Sequence, residues 1–223
     1  MIEWIHQCID DLECHENPFF KAFATDTWER SDFAETQVQF FWAVRHFHRP
    51  MNELADRIPI HRNRSGIEQN VRDELGKNDS ILSHEASFLL FLKRLYNLDE
   101  KEVRVRPIWP EVLAFNAALD QVCGQRHFAE AAAFMGVIEL MFADFSNQIG
   151  SGVIQKNWLS TADLVHYNVH EKLDIEHAED FFTVALPDWH ERRDAIKASV
   201  IEGATVFDDL FRHLHIHRTQ RLR

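Results

Sequence analysis

The stretch FAEAAAFMGVIELMFADF (residues 128–145) is the most apolar part of the chain and constrains how the rest can fold. Apolar side chains recur at every helical position, so no face of a helix built from this stretch is polar. A helix that is apolar on all sides must be buried against other helices. We therefore predict an interior helix over 128–145.

Glu139 interrupts this apolar run and is expected to be buried with it. A buried carboxylate without a partner costs several kcal/mol, so Glu139 must be neutralised, paired with a cation or bound to a metal. An ion pair with an arginine is the alternative to a metal. Arg126 is near in sequence, but it lies too far back along the helix to reach Glu139.

The second informative stretch is HEKLDIEH (residues 170–177). His170, Asp174 and His177 are spaced i, i+4 and i+7, which places them within an arc of about 60° on one helix face. A carboxylate between two imidazoles can bridge two metal ions, with one histidine on each. A polar surface stripe or a buried His–Asp hydrogen bond is the alternative for this triplet taken alone.

A third element is a glutamate and a histidine at a helix junction. Glu74 is expected in the last turn before Leu75-Gly76, and His84 in the second turn after an Asp79-Ser80 cap. A helix-end glutamate and a core histidine are the alternative. Three carboxylates and three imidazoles suit iron or manganese better than zinc, and the complete predicted set is Glu74, His84, Glu139, His170, Asp174 and His177.

The order and spacing of these six residues resemble those of the heme-oxygenase-like di-iron oxidases. That family's pattern is a Glu, a His shortly after it, a Glu on a middle helix and then a His-x3-Asp-x2-His motif. The resemblance spans roughly residues 15–210, and HEKLDIEH is its specific part. It implies an all-α, TenA-like helical fold without heme and relatives such as p-aminobenzoate synthases and alkene-forming decarboxylases.

The resemblance also implies a function. Two irons per chain, with manganese as the alternative, would use dioxygen as co-substrate to oxidise a small organic molecule. The reactions of the family include N-oxygenation, C–C cleavage and decarboxylation. An external electron donor and a homodimer are further implied partners. The competing hypothesis is a non-catalytic helical protein of the same fold that binds a partner or senses metal.

The chain departs from the p-aminobenzoate-forming branch of this family at two positions. Phe20 stands where that branch has its reacting tyrosine. The first lysine after Glu139 is Lys156, further along than the branch's donor lysine. Both departures argue against that reaction.

Composition sets the remaining expectations. The 223 residues contain 7 Gly, 6 Pro and 18 Phe. This composition predicts one all-α domain over 1–223, a bundle of about seven or eight helices with a phenylalanine-rich core.

A net charge of -12 argues against nucleic acid as a partner. No apolar run reaches membrane-spanning length. Three cysteines without a CxxC motif indicate reduced thiols in a cytoplasmic protein.

The other histidines are not expected to belong to this site, although heme ligation by His46 or His48 and a second metal site at 213–217 are the alternatives. Glu3 and His6 form an isolated E-x-x-H, whereas a ferritin-like site needs two. His46 and His48 flank Phe47, so at most one of them faces inward. HLHIH (213–217) is expected in a frayed tail after a last helix that begins at Pro187.

Overall fold

The computed structural model describes residues 1–25, 28–77 and 83–221, without the side chains of 168–172 and 221. Within these ranges the chain forms ten α-helices and no strand, so the all-α prediction is confirmed. The helices are α1 (Ile2–Asp11), α2 (Pro18–Ala24), α3 (Arg30–Arg57), α4 (Arg64–Glu74), α5 (His84–Tyr96), α6 (Glu100–Arg104), α7 (Pro110–Gln125), α8 (Phe128–Gln155), α9 (His166–Ala185) and α10 (Arg193–Arg221).

The helix count exceeds the predicted seven or eight because short helices add to it. α6 has only 5 residues and is held by a capping box in which Asp99 and Glu102 each bond the other's backbone N–H. Such a helix is too short to show the apolar periodicity from which helices are predicted.

α8 is the buried helix around which the others pack, as its sequence predicts. Its most extensive partner is α9, and α10 packs on another side. Two glycines allow these close approaches. A Cβ on Gly136 would lie 2.7 Å from Phe182 Cε1, and a Cβ on Gly203 would lie 2.7 Å from Phe134 O. Because those distances are well inside van der Waals contact, any side chain at Gly136 would push α9 away from α8.

A second group of helices covers α8 and α9. α3 packs against α7, α5 and α4, and α4 also contacts α9. The junction of α4 with α9 includes a 3.0 Å hydrogen bond that the side-chain amide of Asn63 donates to the Asp180 carboxylate. The four helices that carry the predicted metal residues, α4, α5, α8 and α9, are therefore neighbours.

Predicted boundaries of α8, α9 and the last helix are wrong. α8 continues past 145 to Gln155 because Ile149 and Val153 extend its buried stripe through a polar run. Ser160 followed by Asp163 resembles a capping box and predicts a helix start there, but α9 begins at His166, after a short 3₁₀ turn at Thr161–Asp163.

The last helix likewise begins at Arg193 instead of Pro187, which lies in a 3₁₀ turn over Leu186–Asp188. Its C-terminal part is helical to Arg221 rather than frayed. Arg218 explains this, since its guanidinium lies 4.1 Å from the ring centre of Trp28 and 3.6 Å from the Asp32 carboxylate.

The core is rich in phenylalanine, as predicted, and edge-to-face ring pairs join its layers. Cys8, Cys14 and Cys123 are buried and form no disulfide. Among the helices of the described ranges, none combines the length and the apolar composition needed to cross a membrane.

Candidate metal centre

Glu74 and His84 meet where α4 ends and α5 begins. Glu74 is the last residue of α4, and Gly76, with a φ of 86°, turns the chain out of the helix. His84 is the first residue of α5, where Ser83 Oγ accepts a hydrogen bond from the Ala86 N–H. The Glu74 carboxylate lies 2.7 Å from His84 Nδ1, and both side chains are buried.

The prediction that His84 lies in the second turn of a helix is therefore wrong, because His84 is the first residue of α5. The predicted Asp79-Ser80 cap lies outside the described residues. The expectation that Glu74 and His84 point inward from one helix junction is nevertheless met.

Glu139 and His177 meet where α8 packs against α9. His177 Nδ1 lies 3.6 Å from Glu139 Oε1, and each residue is 2% exposed. Gly136, one turn before Glu139, makes this approach possible because it lets α9 lie against the α8 backbone. The burial predicted for Glu139 from its apolar surroundings is confirmed.

The two pairs form one cluster. Ligand atoms of Glu74, Glu139 and His177 all lie within 4.8 Å of one another. Asp174, about one turn before His177 on α9, is fully buried. The side chain of His170 lies outside the described residues, so its predicted role stays a prediction.

Burial and carboxylate repulsion perturb ionisation throughout the cluster. Burial raises the pKa of Glu139, although His177 partly offsets that rise. Burial, followed by the charges of Glu139 and Glu74, raises the pKa of Asp174 well above its ordinary value. Burial alone would lower the pKa of His177, but the facing carboxylates, Glu139 foremost, raise it to about 9. Without a metal, the cluster therefore retains protons at neutral pH.

The residues present fit a metal ion. Within the described part of the chain, Glu139 Oε1 and both ring nitrogens of His177 have no partner at hydrogen-bond distance. No arginine of that part lies within ion-pair distance of Glu139, which removes the arginine alternative there. Buried carboxylate and imidazole donors that face one another in this way are ligands that iron and manganese accept.

Two cavities adjoin the Glu74–His84 pair. The inner one has a volume of about 30 Å³ and is lined mostly by apolar residues, including five phenylalanines: Phe40, Phe47, Phe115, Phe142 and Phe207. The outer one, about 210 Å³, shares Val44 with the inner one and adds the polar side chains of Arg45 and His48. The pair therefore borders both a mostly apolar cavity and a polar one.

Three polar residues near the cluster were not assigned to it by sequence reasoning, although His48 was recognised as a histidine that could face inward. Asp73 Oδ2 lies 3.6 Å from His177 Nε2. His166 is buried, and its ring lies edge-on to that of His84, with the ring centres 5.9 Å apart. His48 lines the outer cavity, where burial lowers its pKa. A signal existed for His166, which lies one helical turn before His170 and extends the stripe of HEKLDIEH.

The remaining predicted histidines lie elsewhere. His6 is exposed. His46 lies 2.8 Å from the Asp120 carboxylate, and His217 lies 2.7 Å from that of Glu111. Both histidines are therefore paired with carboxylates away from the cluster, although His217 was expected in a frayed tail.

Neither residue from the p-aminobenzoate comparison lines the two cavities. Phe20 stacks against core rings, with its centre 4.4 Å from that of Phe145. Lys156 follows the end of α8, and its ammonium lies 5.5 Å from the ring centre of Phe23.

Residues 34–212 match the sequence pattern of a family described as iron-containing redox enzymes. The chain belongs to that family. The matched range includes every described residue of the buried carboxylate–imidazole cluster, and buried donors of this kind agree with an iron-containing family. These residues are Glu74, His84, Glu139, Asp174 and His177. A comparison with curated proteins gives no match.

Solved structures resemble the fold along almost its whole length. A domain of unknown function with a heme-oxygenase-like fold from Shewanella denitrificans has a TM-score of 0.78 at 13% identity, covering 96% of this chain and 90% of that one. A TenA homologue from Pseudomonas syringae pv. tomato has a TM-score of 0.75 at 14% identity, covering 95% and 92%. A TenA family transcription regulator from Silicibacter has a TM-score of 0.70 at 10% identity, covering 94% and 95%.

At such low identities these similarities concern the fold alone. They confirm the predicted heme-oxygenase-like, TenA-like arrangement of helices.

Proposed function

We propose that this iron-containing redox enzyme is a non-heme di-iron oxidase or oxygenase that acts on a small organic molecule. The observation that carries the proposal is the buried cluster of Glu74, Glu139 and His177, whose ligand atoms lie within 4.8 Å of one another beside a phenylalanine-lined cavity. In this proposal the two irons are held by Glu74, His84, Glu139, His170, Asp174 and His177. Iron, when bound, supplies the electrons and open coordination positions that dioxygen activation needs.

The protein's part is to bind, orient and exclude water. Glu139 and Asp174 are held on two packed helices, so their carboxylates are positioned before a metal arrives. The phenylalanines around the inner cavity keep bulk water away from Glu139, which does not line the outer cavity. A dry surrounding strengthens the electrostatic interactions of the carboxylates and limits side reactions.

The cavities suggest how substrate and dioxygen are arranged. The inner cavity, about 30 Å³, is of the size of one or two small molecules such as water, and its apolar walls suit dioxygen. The outer cavity, about 210 Å³, approaches the lower end of ligand-pocket sizes, roughly 300 Å³. The organic substrate would therefore approach Glu74 and His84 from the side of Arg45 and His48.

Anaerobic titration of the metal-free protein with ferrous iron, followed by rapid mixing with oxygenated buffer, tests the proposal. We expect about two irons per chain, a transient visible absorption band and dioxygen uptake that accelerates with substrate. Iron binding without any dioxygen uptake, with or without a panel of fatty acids and amino acids, would contradict the enzymatic function.

A non-catalytic, metal-sensing or partner-binding role is the second candidate. The small inner cavity favours it, since about 30 Å³ leaves little room for a substrate beside the cluster. One similar structure is itself described as a transcription regulator. Substrate-dependent dioxygen uptake separates the two candidates, because a sensor would bind metal and consume none.

A further inference from the structure

Asp73 and Glu139 lie on opposite sides of the His177 ring. The His177 Nε2–Asp73 Oδ2 distance is 3.6 Å, and the His177 Nδ1–Glu139 Oε1 distance is also 3.6 Å. The two carboxylates come from different helices, α4 and α8, so the imidazole of α9 lies between them. A metal ion shared with Glu139 can therefore be reached only by Nδ1, which leaves Nε2 directed at Asp73.

Asp73 is held in place by residues close to it in sequence. Its Oδ1 accepts a 2.8 Å hydrogen bond from Gln69 Nε2, one helical turn earlier, and lies 3.4 Å from Nζ of Lys77, which follows the end of the helix. Gln69 is oriented in turn by Arg72, whose Nη2 donates to Gln69 Oε1 at 2.8 Å. With Oδ1 engaged by these partners, Oδ2 is the oxygen that faces His177. The Asp73 side chain is only 9% exposed, so water competes little for that oxygen.

Asp73 does not belong to the metal-binding group itself. The atoms that lie mutually within 4.8 Å are those of Glu74, Glu139 and His177, and Asp73 is not among them. Although it is next to Glu74 in sequence, consecutive residues on a helix point about 100° apart. Asp73 therefore approaches the cluster from behind the histidine, while Glu74 faces it directly.

We propose that Asp73 is a positioning residue of the metal centre. When a metal is bound, its Oδ2 would accept a hydrogen bond from Nε2–H of His177 and so fix the tautomer in which Nδ1 is the metal ligand. Metal-binding histidines commonly donate their second ring N–H to a carboxylate in this way, and the partner orients the ring. The present 3.6 Å separation is longer than a formed hydrogen bond. Such contacts are often long before a ligand binds and shorten when it does.

This inference rests on the proposed metal site but does not depend on dioxygen chemistry, so it is tested with Co(II) alone. Asp73→Leu keeps the branching at Cγ but has no acceptor and is larger, whereas Asp73→Asn is nearly isosteric and keeps an acceptor oxygen without the charge. We expect Asp73→Leu to weaken Co(II) binding about 10–100-fold at unchanged stoichiometry, with Asp73→Asn in between. Lys77→Gln is the matched control, since it removes an exposed partner of Oδ1 and should change the affinity less than about fivefold.

Proton NMR of the Co(II)-loaded protein gives a readout that a merely structural role would not move. A metal-bound histidine shows a strongly shifted ring N–H signal, and a hydrogen bond to Asp73 slows exchange of that proton with solvent. We expect one slowly exchanging ring N–H that persists in Lys77→Gln and is lost in Asp73→Leu.

Three results would overturn the role of Asp73. One is Co(II) binding and N–H exchange in Asp73→Leu that match the unmodified protein. Another is an Asp73→Asn variant as weak as Asp73→Leu, which would make charge rather than hydrogen bonding responsible. The third is complete loss of a metal ion in Asp73→Leu, which would make Asp73 a ligand. By contrast, normal Co(II) results together with no dioxygen uptake by the iron-loaded protein would refute the proposed function and leave Asp73 in place.

Discussion

Two carboxylate–imidazole pairs build the cluster, and they are supported in different ways. Glu139 and His177 lie in the middle of long helices that pack directly against each other, at an N–O distance of 3.6 Å. Glu74 and His84 lie at the end of one helix and the start of another, at 2.7 Å. The first pair depends on interhelical packing, and the second on local capping. Changes to packing should therefore affect the first pair, and changes to caps the second.

The largest effect is expected from removing a carboxylate of the packed pair. Glu139→Gln should leave the protein folded and lower its metal content by at least one ion per chain, because an amide is a poor ligand. Asp174→Ala and His170→Ala should do the same. Metal analysis after anaerobic loading, together with circular dichroism, checks the prediction.

Glu130→Gln is the control for this experiment, because Glu130 is on the same helix but binds Arg192 at 3.0 Å. Full metal loading in Glu139→Gln would remove Glu139 from the predicted set of ligands.

The second prediction concerns pH and again singles out the packed pair. Burial raises the pKa of Glu139 and Asp174 in the folded protein. As pH rises above about 4, these carboxyls lose their protons in the unfolded chain but keep them in the folded one. The free energy of unfolding of the metal-free protein therefore falls as pH rises. The pKa of His177, raised to about 9, acts in the same direction, since its stabilising contribution is lost as pH rises through that value. Metal-free protein should therefore be more stable at about pH 5 than at about pH 9.

Denaturant unfolding across this pH range measures the effect, and Glu139→Gln should flatten the dependence. Metal binding should also release protons at neutral pH, detectable with a weakly buffered indicator, because a metal replaces the protons of the cluster. A stability that rises with pH in the metal-free protein would contradict the sign.

Gly136 offers a test of packing without touching a predicted ligand. A Cβ there would lie 2.7 Å from Phe182 Cε1 and 3.0 Å from Phe181 Cβ, so Gly136→Ala should separate α8 from α9. We expect the free energy of unfolding to fall by about 1–3 kcal/mol and metal affinity to fall with it. Gly150→Ala is the control on the same helix, since its Cβ would lie 3.4 Å from Leu164 Cδ1, close to an ordinary contact. Equal effects of the two substitutions would show that the position of His177 does not depend on the close contact between α8 and α9 at Gly136.

The same contrast explains what the sequence could predict. Glu139 was identifiable because every neighbour on its helix is apolar, and Asp174 and His177 because their spacing follows the helical repeat. Asp73 was not, since its partner His177 is distant in sequence and only the packing of α4 on α9 brings them together. The start of α9 was missed for a local reason. Val165 adopts a φ of 35° before it, a conformation that is rare for a β-branched residue.

The smallest effect is expected at the helix junction, where support is local. Ser83 Oγ accepts the Ala86 N–H at 3.2 Å, so Ser83→Ala should cost about 1 kcal/mol of stability through loss of the N-cap. Because His84 is the first residue of that helix, fraying there should also weaken metal binding modestly. Ser83→Asp, which restores a capping acceptor, should recover both properties. If Ser83→Ala lowers metal affinity as strongly as Gly136→Ala, the junction is as dependent on its support as the packed pair, and the distinction between the two halves of the cluster fails.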